Sequence, residues 1–450
     1  MSALLIVRVP ANHLEERKYT INCLLQYILG VPYELEVWDS DYYVVACSNK
    51  TIRINDHFWN SFNENCYTEK CLPDVVFGHN QFCKESDIPI LYGSDRVEID
   101  IDCIVCDIDV IASSFFMLSR WEEYINGIVD KHNRFPSSES IACKYGFSDR
   151  PIVNEYAEML WNMLMHYKLD LERKKDFRLI LTHDIDYLTL PNYTRTIIRK
   201  FASDLFKKKH FVLSFIDLIK SVVRDPYDQF DFFMKNSERI EEQAHFYFMA
   251  ATAQIDEYKE CNYLSKRKFK KVVKAIDKRN HVIGFHPSYF SYNDSCNWEL
   301  EYSRLQKSVK INITEGRQHY LRFVWPTTAR IWNKKMTVDS TLGYADRTGF
   351  RCGTGNIYPL YDMVENKATN VLEQPLVIMD TTLTYYEGLP VKASEEVFTC
   401  YIDIASKYLM PLTVLFHNTS FYGEKWNGWS TLYKRVLDYY YQKKHENSKE

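Results

Sequence analysis

The stretch Phe177-Arg178-Leu179-Ile180-Leu181-Thr182-His183-Asp184-Ile185-Asp186 decides how the chain is read. Its apolar start, 177–181, has the length and composition of a short buried strand, and it runs straight into a histidine and two acids. Side chains alternate along an extended chain, so Asp184 and Asp186 point to one face and His183 to the other. Two carboxylates side by side in a cleft repel each other unless a cation or a shared proton comes between them. Such a pair suits one metal ligand and one general base. A D-x-D on its own also fits a solvated strand end, so its surroundings matter.

Working outward, the region beyond Asp176 repeats the same pattern. Apolar runs at 177–181, 245–249, 282–285, 320–324, 375–379 and 412–416 alternate with amphipathic segments near 265–278, 298–309 and 394–408. That alternation is the signature of βα units, which carry their chemistry on the loops after the strand C-termini. Two more polar motifs occupy such positions. In Gly284-Phe285-His286-Pro287 the glycine allows close backbone approach and the proline stiffens the turn, holding an imidazole suited to zinc or a similar metal. In Leu415-Phe416-His417-Asn418 the histidine follows the last run, where it can work as an acid or base near neutral pH. Residues 193–223 read as an inserted pair of basic amphipathic helices.

The first 150 residues differ in character. Strand-like runs at 34–38 and 42–47 lead to a helical segment near 113–124 and a polar loop at 130–139, with no catalytic motif. Arg120, Glu122 and Glu123 read as a solvated helix face. Val153, Tyr156, Leu160 and Leu164 recur at helical spacing, and the charged run 172–176 ends that helix. The expected organisation is a mixed α/β N-terminal domain over 1–150, a connecting helix over 151–176, and a larger βα domain over 177–445.

Among the 450 residues, 46% are hydrophobic and 26% charged, the balance of a folded chain with a sizeable core. A net charge of −4 argues against a dedicated nucleic-acid binder. With 33 Tyr, 26 Phe and 9 Trp, some rings must line clefts, where Tyr and Trp suit the faces of sugars. The apolar run 3–7 is shorter than the roughly 7–15 residues of a signal peptide core and reads as a first strand. No run approaches the roughly 18 apolar residues of a membrane span. The twelve cysteines form no framework, and the lone CxxC, Cys103 with Cys106, reads as buried thiols. A reducing compartment, the cytoplasm, is expected.

Taken in order, these motifs resemble those of the NodB-type polysaccharide deacetylases, the metal-dependent N-deacetylases of carbohydrate esterase family 4. That family carries Thr-Phe-Asp-Asp-Gly, then His-Ser/Thr-x-x-His, an Arg and Pro motif, an Asp and Trp motif, and Leu-x-His. This chain has Thr182-His183-Asp184-Ile185-Asp186, His286, Arg322 with Pro326, Asp339, and Leu415 with His417, over about 177–440. The segment 317–361 resembles a divergent bacterial branch in which an extra N-terminal domain precedes the catalytic one. The resemblance implies a distorted (β/α) barrel of the glycoside hydrolase/deacetylase type behind a smaller mixed α/β domain. It implies hydrolysis of the amide or ester acyl group of an N-acetylated sugar or polysaccharide, with a carbohydrate as the partner and neither nucleic acid nor membrane.

Residue by residue, it makes Asp184 the base, His417 the acid, Arg322 the group that orients the base and Asp339 the group that supports the acid. Asp186 and His286 become ligands of a divalent metal, expected to be zinc. Four residues after His286, where the family has its second metal histidine, this chain has Phe290. The ligand set is then one short of the usual three, to be completed by His183, His245 or another group. Phe290 also suggests an alternative, a catalytically degenerate barrel that binds carbohydrate. A D-x-D glycosyltransferase is a further alternative, for which His286 and His417 have no obvious use.

Overall fold

The run Leu5-Ile6-Val7-Arg8-Val9 alternates buried and half-buried positions, the period of a strand with one face on a core, and it forms β1 (Leu5–Pro10). The computed structural model describes residues 4–62, 66–191, 225–252, 255 and 261–447. Two compact units emerge, unit 1 from Met1–Arg178, Tyr320–Ile378 and Tyr401–Thr413, and unit 2 from Leu179–His319, Met379–Cys400 and Val414–Glu450.

In unit 1, β1 lies between a parallel β2 (Tyr33–Trp38) and an antiparallel β3 (Tyr42–Cys47). The sheet continues through β4 (Lys50–Asn55), while β5 (Val76–Gly78) and β6 (Ile88–Ile90) pair separately. Its far edge is β7 (Gly93–Ile99) beside β8 (Cys103–Ile108), which completes six strands. Cys103 and Cys106 sit on β8 as free thiols, Cys106 fully buried. The helix Ile152–His166 buries Val153, Tyr156, Leu160 and Leu164, the stripe expected from their spacing. Unit 1 also holds β13 (Val338–Asp339), β14 (Tyr358–Asp362) and β15 (Lys367–Glu373), with β13 parallel and β14 antiparallel to β15.

One expectation in this unit is corrected. The segment near 113–124 is two helices, Val110–Ser119 and Trp121–Asn126, joined at a left-handed Arg120 (φ 55°). That turn buries the charges instead of solvating them. Glu123 accepts from Arg120 Nε at 2.8 Å and from Arg351 Nε and Nη2 at 2.8 and 2.6 Å. Glu122 pairs with Arg120 and accepts the Ile141 amide at 2.9 Å. Burial alone would raise the Glu123 pKa, but Arg351 and Arg120 outweigh it and pull the carboxyl down to about 2. Two carboxylates matched by two guanidiniums can be buried because each remaining proton and lone pair finds a partner.

Unit 2 is organised around parallel strands. β9 (Leu179–Ile185) is buried at every position, as a strand covered on both faces must be. β10 (Ala244–Met249) pairs parallel with β9, β11 (Val282–His286) with β10, and β12 (Glu315–Gly316) with β11. On the other flank β17 (Leu412–Leu415) adjoins β9, and the Phe416 amide reaches the Thr182 carbonyl at 3.1 Å. Helix Arg267–Lys278 buries Phe269, Val272, Val273 and Ile276, one helical face. Each such side chain contributes about 1.5–3 kcal/mol by leaving water. Helix Ser295–Val309 starts at Asp294, whose carboxylate accepts the Cys296 and Asn297 amides.

The expected α/β class is therefore present, and among the described residues the strands form an open series, β12-β11-β10-β9-β17. The run 320–324 is not a strand. Tyr320 and Leu321 adopt left-handed φ values of 60° and 55°, which no extended chain has, and the strand of that region is β12. The expected helix pair at 193–223 lies outside the described residues. Among the described residues no helix is long and apolar enough to cross a membrane.

Candidate functional site

Alternation along the end of β9 sets the first half of the site. His183 turns away from the acids, stacks on Phe233 with ring centroids 3.7 Å apart, and donates Nδ1–H to the Phe416 carbonyl at 2.8 Å. Burial pushes its pKa down to about 3, so this ring is neutral and structural. His245 is likewise engaged, 2.6 Å from Glu315. Neither completes a metal set with Asp186.

The second half comes from β11 and β12, which approach each other unusually closely. A Cβ on Gly316 would lie 2.0 Å from the Phe285 carbonyl oxygen, and one on Gly284 would lie 2.4 Å from the Tyr247 ring. With no side chains there, the segment after β12 runs along the turn after β11. The Arg317 amide donates to the Phe285 carbonyl at 3.0 Å and the His319 amide to the Pro287 carbonyl at 3.2 Å. The Gln318 side-chain amide adds a bond to the Ser288 carbonyl at 2.7 Å. This stitching brings His319 beside His286.

His286 donates Nδ1–H to the Arg317 carbonyl at 2.6 Å, which aims Nε2 at the acids. Nε2 lies 2.9 Å from His319 Nδ1 and 3.5 Å from Asp186 Oδ1, and His319 Nδ1 lies 3.6 Å from the same oxygen. A tetrahedral ion with ligands at 2.0–2.2 Å holds them roughly 3.3–3.6 Å apart. Asp186 Oδ1 is buried and makes no hydrogen bond of ordinary length among the described residues, only the longer approaches of the two imidazoles. The buried group Asp186, His286 and His319 thus fits a divalent cation. Burial would raise the Asp186 pKa, yet His319, His286 and His417 pull it well below the usual carboxylate range. Burial would lower that of His286, but Asp184 and Asp186 more than offset it. The acids favour positive charge at this point in either form.

Two further groups flank this set. Asp184 Oδ1 accepts from Arg317 Nη1 at 3.0 Å, and the same nitrogen donates to the Thr182 hydroxyl at 2.9 Å. His417 Nδ1 donates to Asp380 Oδ1 at 2.7 Å, while its own amide donates to Oδ2 at 2.7 Å. Asp380 directly follows β16 (Leu376–Met379) and is fully buried. Burial works against protonation of His417, but Asp380 outweighs it and pushes the pKa up to about 9.

Of the six site residues expected from sequence, Asp184, Asp186, His286 and His417 all lie at strand C-termini of unit 2. Arg322 and Asp339 lie in unit 1. There Arg322 Nε donates to the His132 carbonyl at 2.7 Å, and the Asp339 carboxylate takes the Thr341 hydroxyl. The groups bonded to Asp184 and His417 are Arg317 and Asp380. Those two and His319 escaped the sequence reading. Asp380 directly follows the apolar run 375–379, the same signal that exposed His286 and His417, whereas Arg317 and His319 follow the two-residue β12, which leaves no such run in the sequence. Phe290 is 51% exposed, its ring against Tyr289.

Residues 5–168 match the model of a family of unknown function (DUF7033). No curated protein sequence matches the chain. Among solved structures, one from Mycobacterium smegmatis, assigned by name only as a polysaccharide deacetylase, is similar with a TM-score of 0.37 and 12% identity. The likeness covers 59% of this chain and 85% of that one. The fold and site define an α/β protein with a buried Asp-His-His group of metal-binding geometry.

Proposed function

We propose that unit 2 is a metal-dependent deacylase that hydrolyses the amide or ester acyl group of an N-acetylated sugar. The observation that carries this reading is the division of labour at one set of strand ends. A buried Asp186-His286-His319 group fit for a cation is flanked by a carboxylate held by arginine and an imidazole held by a carboxylate. The order of the motifs, resembling that of the polysaccharide deacetylases, supports the acyl sugar as substrate. Phe290, which favoured a binding-only barrel, loses that weight because His319 supplies a third ligand.

When bound by these three residues, a divalent cation such as zinc supplies Lewis acidity toward the acyl carbonyl. Asp184, fixed by Arg317, accepts a proton from the attacking water. His417 donates a proton to the departing nitrogen or oxygen, and Asp380 keeps its Nδ1–H oriented and stabilises the imidazolium. In this reading the orienting roles belong to Arg317 and Asp380.

Acetate release from an N-acetylated oligosaccharide tests the proposal. Chelation is expected to abolish release and added zinc to restore it, whereas release that survives chelation would sink the metal reading. The acid His417 must be protonated, and Asp380 raises its pKa, so activity should hold through neutral pH and fall along an alkaline limb. Asp380→Asn removes the negative partner and should move that alkaline limb down by about 1–3 pH units. An unmoved limb in Asp380→Asn would assign the titration to another group.

A further inference from the structure

We infer that a basic cavity in unit 2 binds a small ligand by a linked di- or triphosphate. The inference is independent of the deacylase proposal, and the cavity shares no residue with the Asp186-His286-His319 group. Its volume is about 570 Å³, within the roughly 300–1,000 Å³ of small-molecule sites. Four cations line it, Lys270, Arg304, Lys307 and Lys310, and no carboxylate among the described residues does. None of the four makes an ion pair among the described residues.

Two helices bring these charges together. Arg304 and Lys307 are three residues apart, so they share one face of helix Ser295–Val309. Lys310 follows at the left-handed end of that helix, with φ 63°, and Lys270 comes from helix Arg267–Lys278. Arg304 is half-buried and the three lysines are exposed. Nearby cations are matched. Lys268 lies 3.3 and 3.2 Å from Asp225 and Asp228, and Arg279 reaches Asp231 and Glu238 at 2.9 and 2.6 Å. Cations near a helix C-terminus offset its dipole, which accounts for Lys307 and Lys310. It does not account for Lys270, near the start of its own helix, where a positive charge is unfavourable and the first turn has no acid.

The chemistry of the wall selects the ligand. Like charges around one cavity repel each other, and a cavity lined by one sign concentrates the opposite ion. The planar fork of Arg304 suits pairs of phosphate oxygens, and the lysines add point charges. A single phosphate carries about −1.5 to −2, so matching four cations takes two or three phosphates in a chain. The Ser265 hydroxyl and the Asn262 amide add neutral donors. Leu264 is the one apolar residue of the wall and no aromatic ring lines it, so the phosphates are what it recognises, not a base or the face of a sugar. The cations surround one cavity instead of forming a stripe, which suits a compact ligand and not a nucleic-acid strand.

The test is calorimetric titration of the full chain, dialysed free of divalent metal so that none captures the phosphates. The probes are sodium tripolyphosphate, inorganic phosphate, ATP and a short single strand of DNA. Tripolyphosphate is expected to bind at least about tenfold more tightly than inorganic phosphate, because it meets more of the cations. Lys270→Ala and Lys307→Ala should each cost about fivefold, and the two together more than about tenfold. Lys271→Ala removes the same charge from the same helix outside the cavity and should leave the affinity unchanged. All three lysines are exposed, so the variants should keep the fold. An equal loss in Lys271→Ala and Lys270→Ala would reduce the effect to net charge and overturn the site. Equal binding of phosphate and tripolyphosphate, no binding at all, or tighter binding of the DNA strand would overturn it too. ATP identifies the source, and the site stands in both cases. No gain over tripolyphosphate, the expected result, makes the ligand a free phosphate chain, and a gain of about fivefold or more makes it a nucleotide.

Discussion

His319→Ala should lose its metal. With Asp186 and His286 alone, a cation keeps two protein ligands and must retain more of its water, so part of the binding energy disappears. Changing a residue that merely orients a ligand costs about 10–100-fold in metal affinity. Removing a ligand should therefore exceed about 100-fold, and hydrolysis at limiting zinc should fall with it. His319→Gln controls for lost packing, since it keeps the bulk and a polar end without the imidazole. Phe290→His makes the opposite comparison. It rebuilds the family's i, i+4 histidine pair, yet position 290 is half in water against Tyr289, so zinc affinity is expected to stay as in the wild type. Chelator competition measures all three variants. Wild-type affinity in His319→Ala, or a clear gain in Phe290→His, would return the third ligand to the family's spacing.

His286 and His319 show what was legible in the chain and what was not. His286 was visible because it closes a five-residue strand, and Asp186 because alternation along β9 puts it on the face of Asp184. His319 follows a strand of two residues, too short to show any period. Its meeting with His286 depends on two glycines that let backbones touch, a contact 33 residues apart in sequence. Asp380 stands directly after a run that was recognised, but one acid after a strand has no signature until the imidazole it holds is in place. The buried charges of unit 1 failed for a related reason. Arg120, Glu122 and Glu123 look solvated because Arg351, which neutralises the cluster, is 228 residues from Glu123. The left-handed turn at Tyr320 and Leu321 defeated the strand expectation because neither residue type announces such a backbone.

Asp184→Asn is expected to stop turnover while leaving the metal in place. The amide keeps the size of the carboxylate and still accepts from Arg317, so the local geometry should survive. It cannot take a proton from water, and a positioned general base contributes about 10²–10⁴-fold to a rate. A fall in kcat of that size is expected, with KM nearly unchanged, because the lost interaction belongs to the transition state. Zinc content separates this role from that of a ligand. Asp184 Oδ2 lies 3.8 Å from His286 Nε2, near enough for a cation to recruit it. If Asp184→Asn loses zinc as His319→Ala does, Asp184 joins the ligand set and another group must serve as base. If it keeps both zinc and full kcat, no proton passes through this carboxylate. Retained zinc with a collapsed kcat supports the separation of ligand and base that the 3.0 Å contact with Arg317 implies. In the proposed reading, Asp184, held by Arg317, is the acid of the pair that reacts and Asp186 is the one that binds.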